Sequence, residues 1–332
     1  VPTVDVPMPS DRLQGDHPSL AESDPSAART AIQFDTHVPA SAGVAERLTA
    51  VPGATIQDSG GAGQRKTISL RGASPNAVSV MLDGVLLSPH GSAFDLSRIP
   101  MALIGEIEVL RGISSGRYTP AAMGGVVNLV TRKSDRPEVF AQTSYGSFET
   151  ATMHVGAGAS IDHGEILAIA HANRSTGRFT FRYDDQPLTA GNSLQTISRE
   201  NNQSMSGGAF VRYRTKILGS HIDTFFEGTA EARGLAGPVQ NPSPRASQQT
   251  ARGMASGRLT REFESGGTLQ FRSYARSDSI ILRGSIFGNE AVRQVDSSIG
   301  VEGSYSQLLA DRHGLIATVS TGTDWLASST EG

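Results

Sequence analysis

From residue 138 onward the chain alternates in period two. Ala151, Met153, Val155, Ala157 and Ala159 are small or apolar, and Thr150, Thr152, His154 and Gly156 interleave with them. The same period runs through Ile222, Thr224, Phe226 and Gly228 set against His221, Asp223, Phe225 and Glu227. Residues two apart share one face of a strand, so each run predicts a strand with one apolar and one more polar face. Further runs near 138–146, 164–174, 205–215, 250–263, 268–280, 294–309 and 314–327 bring the expectation to about nine strands. Ahead of residue 137 the pattern differs. Residues 1–30 are rich in Pro, Asp, Ser and Ala without a sustained period and read as a flexible arm. A short helix is expected over 41–50, capped by Ser41, with Val44, Leu48 and Val51 on one face and Pro52-Gly53 as its stop. Between 55 and 131 short β-branched runs predict a small α+β unit. Val78, Val80 and Leu82 lead into Asp83-Gly84 and out through Val85 and Leu87, a strong hairpin signal, and Pro100 marks the start of another short helix.

The connections between the later strands sort by length. Short ones fall at 161–163, 216–219, 264–267 and 310–313, and long ones at 175–204, 233–249 and 281–293, with one tight bend at Gly146-Ser147. Long loops gathered at one end are the habit of membrane barrels. A soluble β-sandwich or solenoid shares the alternation without that asymmetry. Hydrophobic residues make up 37% of 332, and no stretch approaches the ~18 apolar residues of a membrane helix. A membrane-spanning form of this chain is therefore a barrel, since only helices and closed barrels satisfy every backbone polar group in lipid. Tyr145, Tyr213, Tyr274 and Trp325 are candidates for its interfacial aromatic girdles.

Glycines mark almost every joint of the earlier unit. Gly60-Gly61-Ala62-Gly63-Gln64 is followed by Ile68-Ser69-Leu70-Arg71-Gly72, Leu82-Asp83-Gly84-Val85 and Asp95-Leu96-Ser97-Arg98-Ile99-Pro100. Ile107-Glu108-Val109-Leu110-Arg111-Gly112 and Gly124-Gly125-Val126-Val127-Asn128 complete the series. In order and spacing, residues 60–131 resemble the plug domain of TonB-dependent outer-membrane receptors, particularly the cobalamin-receptor branch. Tyr118 is followed by Thr119-Pro120 where that family has a glycine.

The resemblance implies an all-β membrane barrel with the α+β plug in its lumen. Residues 1–30 would be a periplasmic arm, 31–135 the plug and 136–332 the first part of the barrel. Such receptors close with twenty-two strands. Nine would leave two unpaired edges in lipid, so the expectation is the N-terminal portion of a longer receptor. Val1-Pro2-Thr3 is neither basic nor followed by an apolar core, which suggests a processed or trimmed start. The implied function is energy-dependent uptake of a metal chelate, a siderophore or a corrinoid, across the outer membrane. Its partners would be a TonB-type energy-transducing protein in the periplasm, the small chelate ligand and outer-membrane lipid. Neither catalysis nor a cofactor is expected. A ligand-sensing signal-transducing receptor, or a non-transporting surface β-protein or decayed receptor fragment, is the alternative.

By the same resemblance, Arg71 and Arg111 would latch the plug to glutamates on the inner barrel wall. Gln64, Arg65, Asn76, His90 and Ser92 lie in the turns that would meet ligand. Val4, Asp5 and Val6, within Thr3-Val4-Asp5-Val6-Pro7-Met8, are the candidate coupling segment, able to add a strand to a partner's sheet edge. Other chemistry finds little support. A net charge of -3 argues against nucleic acid, and the absence of cysteine removes thiolate metal sites and nucleophiles. No G-x-G-x-x-G opens a helix and no H-E-x-x-H is present. Asp184 and Asp185 in the 175–204 connection are weak calcium candidates, without EF-hand spacing.

Overall fold

The computed structural model describes residues 28–34, 43–61, 63–87, 92–111, 122–134, 136–161, 164–184, 194–284, 291–309 and 313–331. The first unit contains β1 (Ala28–Gln33), β2 (Ala54–Asp58), β3 (Lys66–Leu70), β4 (Val78–Leu82), β5 (Val85–Leu86), β6 (Ile104–Arg111) and β7 (Gly125–Thr131). Five of them form a mixed sheet in the order β1-β6-β7-β4-β5, and β2 pairs with β3. The arm expected over residues 1–30 overlaps β1 by three residues, because Ala28, Arg29 and Thr30 pair with Arg111, Leu110 and Val109. The helix α1 (Val44–Leu48) starts from Gly43 with no side-chain cap, and Ser41, the expected cap, lies outside the described residues. Pro100 precedes a single 3-10 turn, Met101–Leu103, at the place of the expected short helix, and β6 begins at the next residue.

This unit closes around its own apolar core. Leu48, Leu70, Leu82, Ile107, Val109, Val127 and Leu129 are fully buried. Asp83 and Gly84 both take positive φ, 47° and 81°, the geometry of the tight hairpin turn that the Asp-Gly pair predicts.

The second unit is a nine-stranded antiparallel wall. Its strands are β8 (Glu138–Gly146), β9 (Thr150–Ile161) and β10 (Gly164–Ser175), then β13 (Ser204–Ile217), β14 (Ser220–Gly234), β15 (Ser247–Glu262), β16 (Gly267–Arg283), β17 (Ala291–Leu309) and β18 (His313–Glu331). They are hydrogen-bonded in chain order. Between β10 and β13 a separate hairpin, β11 (Thr180–Tyr183) with β12 (Gln195–Ser198), lies within the long connection 175–204. The short links join β9–β10, β13–β14, β15–β16 and β17–β18 at one end, and the long ones lie at the other.

Burial along the wall is inverted relative to a soluble sheet. Phe226 points outward with 64% of its surface exposed, beside outward Val211, Phe271 and Ile299. Arg212, Glu227, Arg252 and Arg276 point inward and are buried. Lipid rewards an apolar exterior, and a packed lumen allows paired charges inside. An apolar inner patch breaks the rule: Phe210 and Phe225 stack at 5.7 Å and join Leu167, Ile169 and Met254 in the core. Tyr274, expected in a girdle, instead faces this interior, since it shares a face with Arg272 and Arg276, whereas Tyr213 and Trp325 face out. β17 and β18 run for 19 residues each, well past the ~9–11 that cross a bilayer, so the wall extends beyond it.

Candidate functional site

The first unit packs against the inward face of the wall, and charged side chains join them at both ends. Near the short-turn end the β4–β5 hairpin meets three arginines. Arg212 of β13 lies 3.4 Å from the Asp83 carboxylate and also bonds Thr131 and Asp223. Arg258 of β15 donates to the Asp83 carbonyl at 2.7 Å, and Arg272 of β16 donates to the Gly84 carbonyl at 2.6 Å. Arg272 is paired in turn with Glu302 at 2.9 Å, and Arg214 with Glu165 at 2.7 Å. Within the plug sheet, Asp83 accepts from the backbone N–H (3.1 Å) and hydroxyl (2.8 Å) of Thr131 at the end of β7. One buried carboxylate thus serves both its own sheet and the wall.

At the long-loop end a second cluster forms around the 3-10 turn Leu96–Arg98. Asp95 caps that turn through Ser97 and accepts the Lys66 backbone N–H at 3.0 Å. Its other oxygen pairs with Arg233 of β14 at 3.0 Å. Arg98 reaches Asp278 of β16 at 3.3 Å. Burial, and then the neighbouring Arg252, push the Arg98 guanidinium below its ordinary value, against the pull of Asp278. Arg252 grips Glu227 with two bonds, 3.1 and 2.7 Å, and lies over the Phe94 ring at 5.2 Å. Lys66 is held above its ordinary value: burial opposes the ammonium, but Glu46 and Asp58 outweigh it.

Several sequence-predicted residues gather at this same end. Gln64 donates to the Asn202 carbonyl at 3.4 Å, and Arg65 to the carbonyl of Ala93, next to Ser92. Asn76 is exposed in the 3-10 turn Pro75–Ala77. His90, Asp185, Val4, Asp5 and Val6 lie outside the described residues. Asp184 is described, and among the described residues no group of three or more His, Asp or Glu has a metal-holding arrangement.

Arg71 and Arg111 meet at one turn. Arg111 donates to the Pro52 carbonyl at 2.9 Å and to Thr30, and the Arg71 backbone N–H donates to the Gly53 carbonyl at 2.7 Å. Among the described residues neither makes an ion pair with the wall.

The family model described as TonB-dependent Receptor Plug Domain matches residues 27–126. The first unit is a TonB-dependent receptor plug. Over 91–92% of its length the chain shares its fold with solved transporters and receptors. It superposes on the copper transporter OprC with a TM-score of 0.68 at 16% identity, covering 92% of this chain and 47% of that one. The unliganded ferric citrate transporter FecA gives 0.63 at 18% identity, over 91% and 47%. The ferripyoverdine receptor of the outer membrane of Pseudomonas aeruginosa, bound to ferripyoverdine, gives 0.70 at 11%, over 92% and 43%. The chain spans about half the length of the structures it matches. Plug and wall together place it in the outer membrane of a Gram-negative bacterium.

The plug contacts that sequence reasoning missed are Asp83, Asp95 and Arg98 with their wall partners Arg212, Arg258, Arg272, Arg233 and Asp278. A signal was present: these wall residues fall on the non-lipid parity of strands already identified. Charges at such positions need partners, and the plug is what faces them.

Proposed function

We propose that the chain is the plug and part of the barrel of a receptor that takes up a metal chelate, a siderophore or a corrinoid, driven by a TonB-type inner-membrane partner. The observation that carries this reading is the plug seated on the charged inner face of the wall and pinned at both ends. A body held there blocks the lumen. Stranding one member of a buried pair costs about 3–5 kcal/mol, so moving the plug calls for an outside source of work. Copper, ferric citrate and ferripyoverdine in the names of similar structures favour a metal-bearing cargo.

In this reading residues 1–27 are the periplasmic arm with Val4, Asp5 and Val6 as coupling segment, the plug runs from β1 to residue 135, and 136–332 are barrel. Ligand is met at the long-loop end, where Gln64, Arg65 and Ser92 converge, with Asn76 and His90 as further contacts. Arg71 and Arg111 form a second latch, directed at glutamates elsewhere on the barrel. The test is whole-cell accumulation of labelled ferric citrate, ferripyoverdine and cyanocobalamin. A strain lacking the gene is compared with the same strain carrying the full-length gene, each with and without the TonB-type partner. Accumulation of one chelate that requires both genes is expected. Accumulation that is indifferent to the partner, or to the receptor gene, for every chelate would overturn the proposal.

A further inference from the structure

β1 is the edge strand of the plug sheet and follows directly on residues 1–27. From it a line of hydrogen bonds crosses the plug to the wall. Arg29 donates to Glu108 of β6 at 2.8 Å and to Glu106 at 2.9 Å. Glu108 is only 2% exposed, and its other oxygen accepts from Asn128 Nδ2 of β7 at 2.9 Å. Asn128 Oδ1 then accepts the Gly84 N–H at 2.9 Å, and Gly84 offers its carbonyl to wall Arg272 at 2.6 Å. The chemistry gives this line a direction. An ionised carboxylate can only accept, so Asn128 must turn its NH₂ toward Glu108, which leaves its oxygen for Gly84.

We propose that Arg29, Glu108 and Asn128 form a relay through which withdrawal of β1 loosens the grip between the Asp83-Gly84 hairpin and the wall. The proposal rests on the reading of the plug as a movable gate and supplies the internal route by which a pull is transmitted. Drawing β1 out of the sheet takes a cation from Glu108. A buried carboxylate deprived of a cation draws in water, and that water competes for the Asn128 amide. Once the amide turns, an NH₂ faces the Gly84 N–H, donor against donor, and the hairpin loses an anchor next to its wall contacts.

The prediction concerns hydrogen exchange at the Gly84 amide, read with single-residue resolution in the intact receptor in lipid nanodiscs, without ligand or partner. Arg29→Ala is expected to speed that exchange about tenfold or more, although Gly84 lies three strands from Arg29, because a partly buried charge pair is broken. Arg29→Lys, which keeps a cation, should stay near wild type. In a Glu108→Gln background, where no cation is required, adding Arg29→Ala should change Gly84 exchange less than about twofold, the additivity expected when the coupling is gone. Faster exchange confined to β1 and β6, or an undiminished effect of Arg29→Ala in the Glu108→Gln background, would overturn the relay. Should Glu108→Gln fail to fold, the Arg29→Lys comparison decides alone: Gly84 protection retained supports the relay, and protection lost as in Arg29→Ala refutes it. Because this readout involves no transport, its failure leaves the uptake reading standing, and a failure of uptake shows separately, in the accumulation assay.

Discussion

Asp95 concentrates several duties in one side chain. It caps a 3-10 turn, accepts the Lys66 N–H and neutralises Arg233 on the wall. Asp95→Ala takes the nearer carboxylate from buried Arg233, leaving Glu231 at 3.5 Å, and also removes the turn's cap, so a cost of about 3 kcal/mol of plug docking is expected, the low end for a broken buried pair. Asp95→Asn keeps the capping oxygen and gives up only the charge, so about 1.5–3 kcal/mol is expected. Chemical denaturation followed by protease sensitivity of the plug ranks the two, and equal losses would refute the charge argument. Lys66 makes a pH-dependent contribution. Its ammonium is held above the ordinary 10.5, so its support for α1 is complete below that value and fades as pH rises through the raised one. Exchange in α1 should accelerate on alkaline titration of the wild type, and that alkaline step should be absent in Lys66→Met.

Among the elements, the wall strands were the most legible in the sequence, because a period of two survives any tertiary context. The structure turns that pattern into a side: Phe226 faces lipid and Phe225, its neighbour, packs inside at 3% exposure. Phe226→Arg places a guanidinium near the bilayer midplane and is expected to cost about 2–4 kcal/mol of folding into lipid vesicles. The heat-modifiable band on gel electrophoresis reports it, and an unchanged folded fraction across a urea titration would count against the assigned face. Tyr274 was misplaced because aromatic identity says nothing about strand parity. The Asp83-Gly84 turn was legible as a hairpin, since its signal is local. Its contacts were not, because Arg212, Arg258 and Arg272 lie 129 to 188 residues further along the chain. Pairing across such separations is settled by topology, and a single sequence does not carry it. α1 is shorter than its periodicity suggested, with three buried residues and no side-chain cap to extend it.

For the whole molecule, the plug is fastened to this part of the wall at two levels, hairpin below and Asp95–Arg98 above. Arg71 and Arg111 sit together at the Pro52-Gly53 turn and stand apart from both. If they form a third fastening in the full receptor, the Arg71→Ala, Arg111→Ala double variant should lose chelate uptake at least tenfold while still reaching the membrane. Normal uptake by a correctly inserted double variant would end that idea. The lower fastening has a property of its own. Two of its three arginines hold main-chain oxygens, those of Asp83 and Gly84, and a carbonyl is the same in every amino acid. What the barrel recognises there is largely the bend of the chain. Over evolutionary time these two contacts tolerate any letters that keep the tight turn, leaving Asp83, held through its carboxylate by Arg212, as the position tied by its side chain, while a single change that reshapes the turn unfastens both without touching any charge.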